Sequence, residues 1–186
     1  MFVEIRFLSR GGQGGVTGAK MLAYAGHLDG MYVQAIPKYG SERKGAPIAT
    51  DVRLSSDPIR THAPVVAADA DYWVVFDPSV IEKHLPRNQL KNGAILVLNS
   101  LTAPDFGPNT RVGTVDANGI AKKSGLVKSG TVLVSTTMLG AWAKAAGMIK
   151  LEFIFKSVEK TFGSGDLAER NKRSIQMAYD QFRWVE

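Results

Sequence analysis

Three features of this 186-residue sequence predict an α/β fold, a mostly parallel sheet flanked by helices with a helical C-terminal third. The runs YWVVFD (72–77) and AILVLN (94–99) are apolar without alternation, as strands covered on both faces are. An alternating stretch, a glycine cluster and a helix-like segment follow one another at the N-terminus. After residue 134 only helical periodicity remains. With 45% hydrophobic and 22% charged residues the chain has the balance of an ordinary globule, and its length suits one domain spanning 1–186.

Taken in order, FVEIRFL (2–8) alternates and reads as a strand ending at the glycines. Gly18, Met21, Leu22, Ala25 and Leu28 then share one face of a helix that Asp29-Gly30 ends. MYVQAI (31–36) and IATDVRLS (48–55) alternate again, separated by a Pro/Gly-rich loop from Pro37 to Pro47. Asp77-Pro78 suits a helix cap followed by proline in the first turn, so a short helix is expected from Pro78 toward Leu85. TRVGTVD (110–116) reads as a shorter strand. Three helices close the chain: STTMLGAWAKAAG with Ser135, Thr136 and Thr137 as candidate caps, a second carrying Leu151, Ile154, Phe155, Val158 and Phe162, and DLAERNKRSIQMAYDQF.

Composition excludes several functions. The absence of cysteine removes disulfides, thiolate zinc sites and cysteine-held iron–sulfur clusters, and fits a reducing compartment, the cytoplasm. No apolar stretch approaches the ~20 residues that cross a bilayer, so no membrane association is expected. The net charge of +6 is dispersed, with no aromatic-interleaved basic strip, which speaks against nucleic acid and suits an acidic partner subunit or a phosphate-bearing ligand. His27, His62 and His84 stand far apart, and no metal-ligand or nucleophile motif is present.

Chemistry therefore concentrates in two stretches. Gly11, Gly12, Gln13 and Gly14, with Gly15, join a strand to a helix N-terminus, a generic anion site and equally a plain tight turn. The cluster is not a P-loop, because Ala19 precedes Lys20 and Met21 follows it, and it fails the dinucleotide pattern at Thr17. Nor does the second strand end in a ribose-binding carboxylate, since Gln34, Pro37 and Lys38 stand there. The second stretch, PKYGSERKGAP (37–47), sets Lys38, Arg43 and Lys44 among turn formers, suited to phosphate oxygens or to a subunit contact. No catalytic constellation and no metal site assemble from this inventory.

RGGQG (10–14), YGSERKGAP (39–47), DPI (57–59), TMLGAWAKAAG (137–147) and ERN (169–171), in this order, resemble the gamma subunit of 2-oxoacid:ferredoxin oxidoreductases. The resemblance implies a Rossmann-like domain in a complex that decarboxylates a 2-oxoacid oxidatively with coenzyme A, giving acyl-CoA, carbon dioxide and reduced ferredoxin. It also implies that thiamine diphosphate, magnesium and the [4Fe–4S] clusters belong to alpha, beta and delta-type partners, and that this chain binds no cofactor alone and lies near where coenzyme A approaches. The ERxGAP form is closer to pyruvate and branched-chain members than to 2-oxoglutarate ones. The site residues it points to are Gly11, Gly12, Gln13, Gly14, Tyr39, Glu42, Arg43 and Lys44: Arg43 and Lys44 offering charge to phosphates, Glu42 positioning Arg43 or a partner's cation, Gln13 bonding across the turn or to a neighbour. Ser9 and Lys44 stand where the family often has glycine and arginine. Two other classes stay open beside it, a self-sufficient nucleotide-binding oxidoreductase and a ligand-free scaffold.

Overall fold

The computed structural model describes residues 1–37, 45–85 and 87–185. Among the described residues nine strands run in chain order as β1 (Phe2–Arg10), β2 (Tyr32–Pro37), β3 (Pro47–Ser55), β4 (Tyr72–Val75), β5 (Ile95–Asn99), β6 (Arg111–Val115), β7 (Val127–Lys128), β8 (Thr131–Val132) and β9 (Arg183–Trp184). The helices are α1 (Gly15–Leu28), α2 (Ile81–His84), α3 (Ala117–Lys123), α4 (Ser135–Ala146), α5 (Leu151–Phe162) and α6 (Asp166–Gln181). Seven strands form one sheet in the order β2-β3-β1-β4-β5-β6-β9, while β7 and β8 pair apart from it.

The sheet is mixed, with a parallel centre. β1, β4, β5 and β6 pair in parallel, β3 is antiparallel to both β1 and β2, and β9 is antiparallel to β6. Since β2 opposes β3 and β3 opposes β1, β2 runs parallel to β1, as expected after a helical crossover. β3 is inserted between them. The β2–β3 connection therefore returns to the end of β1 where the glycines lie.

Alternation along β1 sends Val3, Ile5 and Phe7 to one face, where they meet α1 together with Val52 and Leu54 of β3. That face builds the larger core, with Phe76, Val97, Met138, Trp142, Ile154 and Ile175. Each such side chain withdrawn from water contributes about 1.5–3 kcal/mol. On the opposite face Leu8, Trp73, Val75, Leu96 and Leu98 are covered by Val65, Val80, Ile81 and Leu85, from loops and short helices. β4 and β5 are thus buried on both sides, which is why they read as unbroken apolar runs.

Asp77 caps the turn after β4, its carboxylate accepting from Ser79 N at 3.0 Å, and the predicted helix there splits into a 3-10 turn and α2. The expected caps of α4 are corrected: Val134 stands at its N-cap, and Ser135, Thr136 and Thr137 are buried inside the first turn. Thr136 Oγ1 donates to Asn171 Oδ1 at 2.6 Å and the Thr137 hydroxyl bonds that of Ser174, so these groups hold α6 rather than their own helix.

Candidate site at the glycine turn

Where β1 ends, Gly12 and Gly14 have φ of 97° and 86°, a left-handed backbone that side chains other than glycine rarely adopt. Packing adds a second demand. A Cβ on Gly15 would lie 2.2 Å from Ser9 Oγ, and one on Gly14 would lie 2.9 Å from Ser135 Oγ. The cluster is therefore required first by the turn itself and by the close approach of β1 and α4.

Gln13 fastens the turn. Its N–H donates to Arg10 O at 3.1 Å, and its Oε1 accepts from Arg10 N at 2.8 Å. The sheet ladder then runs on past β1, with Gly11 N donating to Ala46 O at 2.8 Å and Gly45 N to Gly11 O at 3.1 Å. Tyr39, Glu42, Arg43 and Lys44 lie outside the described residues; Gly45, which follows them, bonds to Gly11 of the glycine turn.

Arg10 is the residue that sequence reasoning passed over. Its guanidinium donates through Nε to Asp77 Oδ2 at 2.8 Å, through Nη1 to Gly45 O at 2.9 Å and through Nη2 to Ser79 Oγ at 2.7 Å. One side chain thus joins β1, the turn after β4 and Gly45 ahead of β3. Burial pushes the Asp77 carboxyl up, yet hydrogen bonds from Ser79 and Arg10 outweigh it and hold the group below its ordinary value. The only local signals were an arginine before the glycines and an aspartate already explained as a cap.

β1 leads to one side of the sheet and β4 begins the other, so the crevice beyond their carboxyl ends is the switch point where open α/β sheets take ligands. Here Arg10, Asp77 and Ser79 bridge it. A dinucleotide would have to displace that network, and β2 supplies no carboxylate for its ribose. Two helix N-termini approach each other beside it: Ser135 at the buried start of α4 packs close to Gly14 ahead of α1, and neither helix has an acidic residue in its first turn. Such a pair of N-termini suits an anion. Among the described residues no group of histidine and carboxylate side chains could hold a metal, and the three histidines are exposed and apart. No described helix is long and apolar enough to cross a membrane.

Comparisons with known proteins cover nearly the whole chain. Residues 4–181 match the family described as pyruvate ferredoxin/flavodoxin oxidoreductase. The pyruvate synthase subunit PorC of Methanothermobacter thermautotrophicus is 39% identical over 180 residues, 96% of this chain and 95% of that one. The common gamma subunit of pyruvate/ketoisovalerate oxidoreductases of Thermococcus kodakarensis is 37% identical over 185 residues, 96% of each. The crystal structure of the pyruvate oxidoreductase subunit PORC of Thermotoga maritima superposes with a TM-score of 0.78 at 31% identity, covering 100% of this chain and 99% of that one. With its fold and nearly its whole length matched, the chain belongs to the pyruvate ferredoxin/flavodoxin oxidoreductase family.

Proposed function

We propose that this chain is the gamma-type, non-catalytic subunit of a cytoplasmic 2-oxoacid:ferredoxin oxidoreductase that acts on pyruvate or a branched-chain 2-oxoacid, and that it supplies part of the coenzyme A environment. Thiamine diphosphate, magnesium and [4Fe–4S] clusters are assigned to alpha, beta and delta-type companions, and ferredoxin takes the electrons of the whole complex. One observation carries the reading. The backbone ladder between Gly11 and Gly45–Ala46 sets the glycine turn beside the base of the ERKGAP stretch, at the end of the sheet where α1 and α4 begin.

In this arrangement Gly11, Gly12 and Gly14 shape the turn, Gln13 and Arg10 keep it in register, and the N-termini of α1 and α4 favour negative charge. Arg43 and Lys44 add cationic donors for the phosphates of coenzyme A, with Tyr39 and Glu42 beside them in sequence. The chemistry at the 2-oxo group takes place in the companions.

Replacing both Arg43 and Lys44 by alanine in the reconstituted complex is expected to raise KM for coenzyme A about tenfold or more, the scale of one lost charge-assisted hydrogen bond. KM for the 2-oxoacid and the subunit composition should hold. An unchanged KM for coenzyme A in an intact complex would remove the phosphate role.

A further inference from the structure

Gly45 stands just ahead of β3 and is held there by few bonds. Its φ of 91° is left-handed, and Pro47, which opens β3, has no N–H to give to the ladder. Among the described residues three bonds hold Gly45 and Ala46: Gly11 N donates to Ala46 O at 2.8 Å, Gly45 N to Gly11 O at 3.1 Å, and Arg10 Nη1 to Gly45 O at 2.9 Å. The first two join backbone to backbone. The third comes from a guanidinium, and through it this corner is tied to the turn after β4.

Arg10 can hold Gly45 because it is itself held. Both oxygens of Asp77 are used: Oδ2 accepts from Arg10 Nε at 2.8 Å, and Oδ1 accepts from Ser79 N at 3.0 Å and from Ser79 Oγ at 2.5 Å. The Ser79 hydroxyl, its proton given to Asp77, accepts from Arg10 Nη2 at 2.7 Å. Arg10, Asp77 and Ser79 thus close a ring of hydrogen bonds that fixes the guanidinium plane, and Nη1 is left to meet the Gly45 carbonyl. Asp77 also balances the charge of Arg10 at contact distance, which leaves little field to draw in a further anion. What this arginine supplies is direction rather than charge.

We infer that Arg10 is a positioning residue for coenzyme A: held by Asp77 and Ser79, it locks Gly45 against the glycine turn and so fixes the Gly-Ala-Pro end of the ERKGAP stretch. The inference rests on the coenzyme A reading above and deepens it. Arg10 touches no ligand in this role and acts through the backbone of Gly45. The planar fork is essential, because three acceptors lie in three directions around one plane. A guanidinium meets them together, whereas an ammonium offers all its donors from a single point.

The test compares R10K, which keeps the charge and loses the fork, with S79A, which removes one acceptor at an exposed position. In the full chain alone, amide hydrogen exchange at Gly11 and Gly45 reads the clamp. R10K is expected to speed it roughly tenfold and S79A by less, the scale of a lost charge-assisted hydrogen bond. In the reconstituted complex, R10K is expected to raise KM for coenzyme A roughly fivefold or more while kcat, KM for the 2-oxoacid and subunit composition hold. Added to the R43A/K44A double replacement, R10K should raise that KM no further, because it acts through the same stretch. S79A carries both readouts with smaller changes, so the test does not depend on R10K folding. Exchange and KM equal to those of the wild type would overturn the inference and show that charge alone suffices at this position. Faster exchange with an unchanged KM for coenzyme A would overturn it too; the coenzyme A reading then stands if R43A/K44A raises KM and falls if it does not. A raised KM with unchanged exchange, or a full further rise in the triple variant, would make Arg10 a direct ligand and refute the positioning role.

Discussion

Replacing Gly140 with alanine is expected to lower the folding stability of this chain by about 3 kcal/mol or more, the upper range for overpacking a core. Gly140 lies in the middle of α4, where α6 crosses, and a Cβ there would sit 2.1 Å from the carbonyl oxygen of Ile175 and 2.9 Å from its carbon. The obstacle is backbone, so no rotamer relieves it. α6 would have to move outward, and with it would go the buried bonds of Thr136 to Asn171 and Thr137 to Ser174. Alanine's better helix propensity returns only about 1 kcal/mol. Urea unfolding followed by circular dichroism reads the result directly, and a midpoint equal to or above that of the wild type would show that the two helices are not in this contact.

A comparable loss is expected from Asp51→Ala, by a different cause. Arg6 and Asp51 face each other across β1 and β3, with side chains 7% and 0% exposed and contacts of 2.7 Å from Nε and 2.9 Å from Nη2. The guanidinium also donates to Val65 O at 2.6 Å and lies 5.5 Å from the centre of the Trp73 ring. Removing the carboxylate strands a buried cation, which costs about 3–5 kcal/mol, whereas exchanging both partners for apolar residues is often neutral. Asp51→Ala should therefore unfold at markedly lower urea, and R6M/D51L should regain most of the difference. A double variant no better than the single one would mean that Asp51 matters for something other than Arg6. The pair also bears on the site, since it holds the β1–β3 register that carries Gly11 to Ala46, and a one-residue slip would turn every side chain of β3 to the wrong face.

The parts of this fold that could be read in advance are those whose cause is local. β4 and β5 show their double burial as continuous apolar runs, α1 shows its buried face as a helical repeat, and Asp77-Pro78 shows its cap. Alternation in residues 48–55 revealed a strand with two unlike faces but not its partner or direction, so the insertion of β3 between β1 and β2 was not visible. The α3 segment and the β7–β8 hairpin are too short for a periodicity to stand out. Ser135, Thr136 and Thr137 matched the local pattern of a cap, and it is a contact 35 residues away in sequence, to Asn171, that gives Thr136 its use.

At the site, sequence left the glycines between a tight turn and an anion site and Gln13 between a bond across the turn and one to a neighbour, while the structure shows the turn and a bond from Arg10 N to Gln13 Oε1. Sequence missed Arg10, because the partners that give Arg10 its role are Gly45, 35 positions away, and Asp77, 67 positions away. Asp77 had seemed explained by its cap, and it both caps the turn and receives the guanidinium. The chemistry of Tyr39, Glu42, Arg43 and Lys44 rests on residue type and on where the ends of their stretch return.

An anaerobic dye-reduction assay offers the plainest trial of all this. Given a 2-oxoacid, coenzyme A and viologen, the purified chain by itself is predicted to leave the dye oxidised, and addition of its companion subunits to start the reaction. Colour developing with this chain as the sole protein would contradict the account.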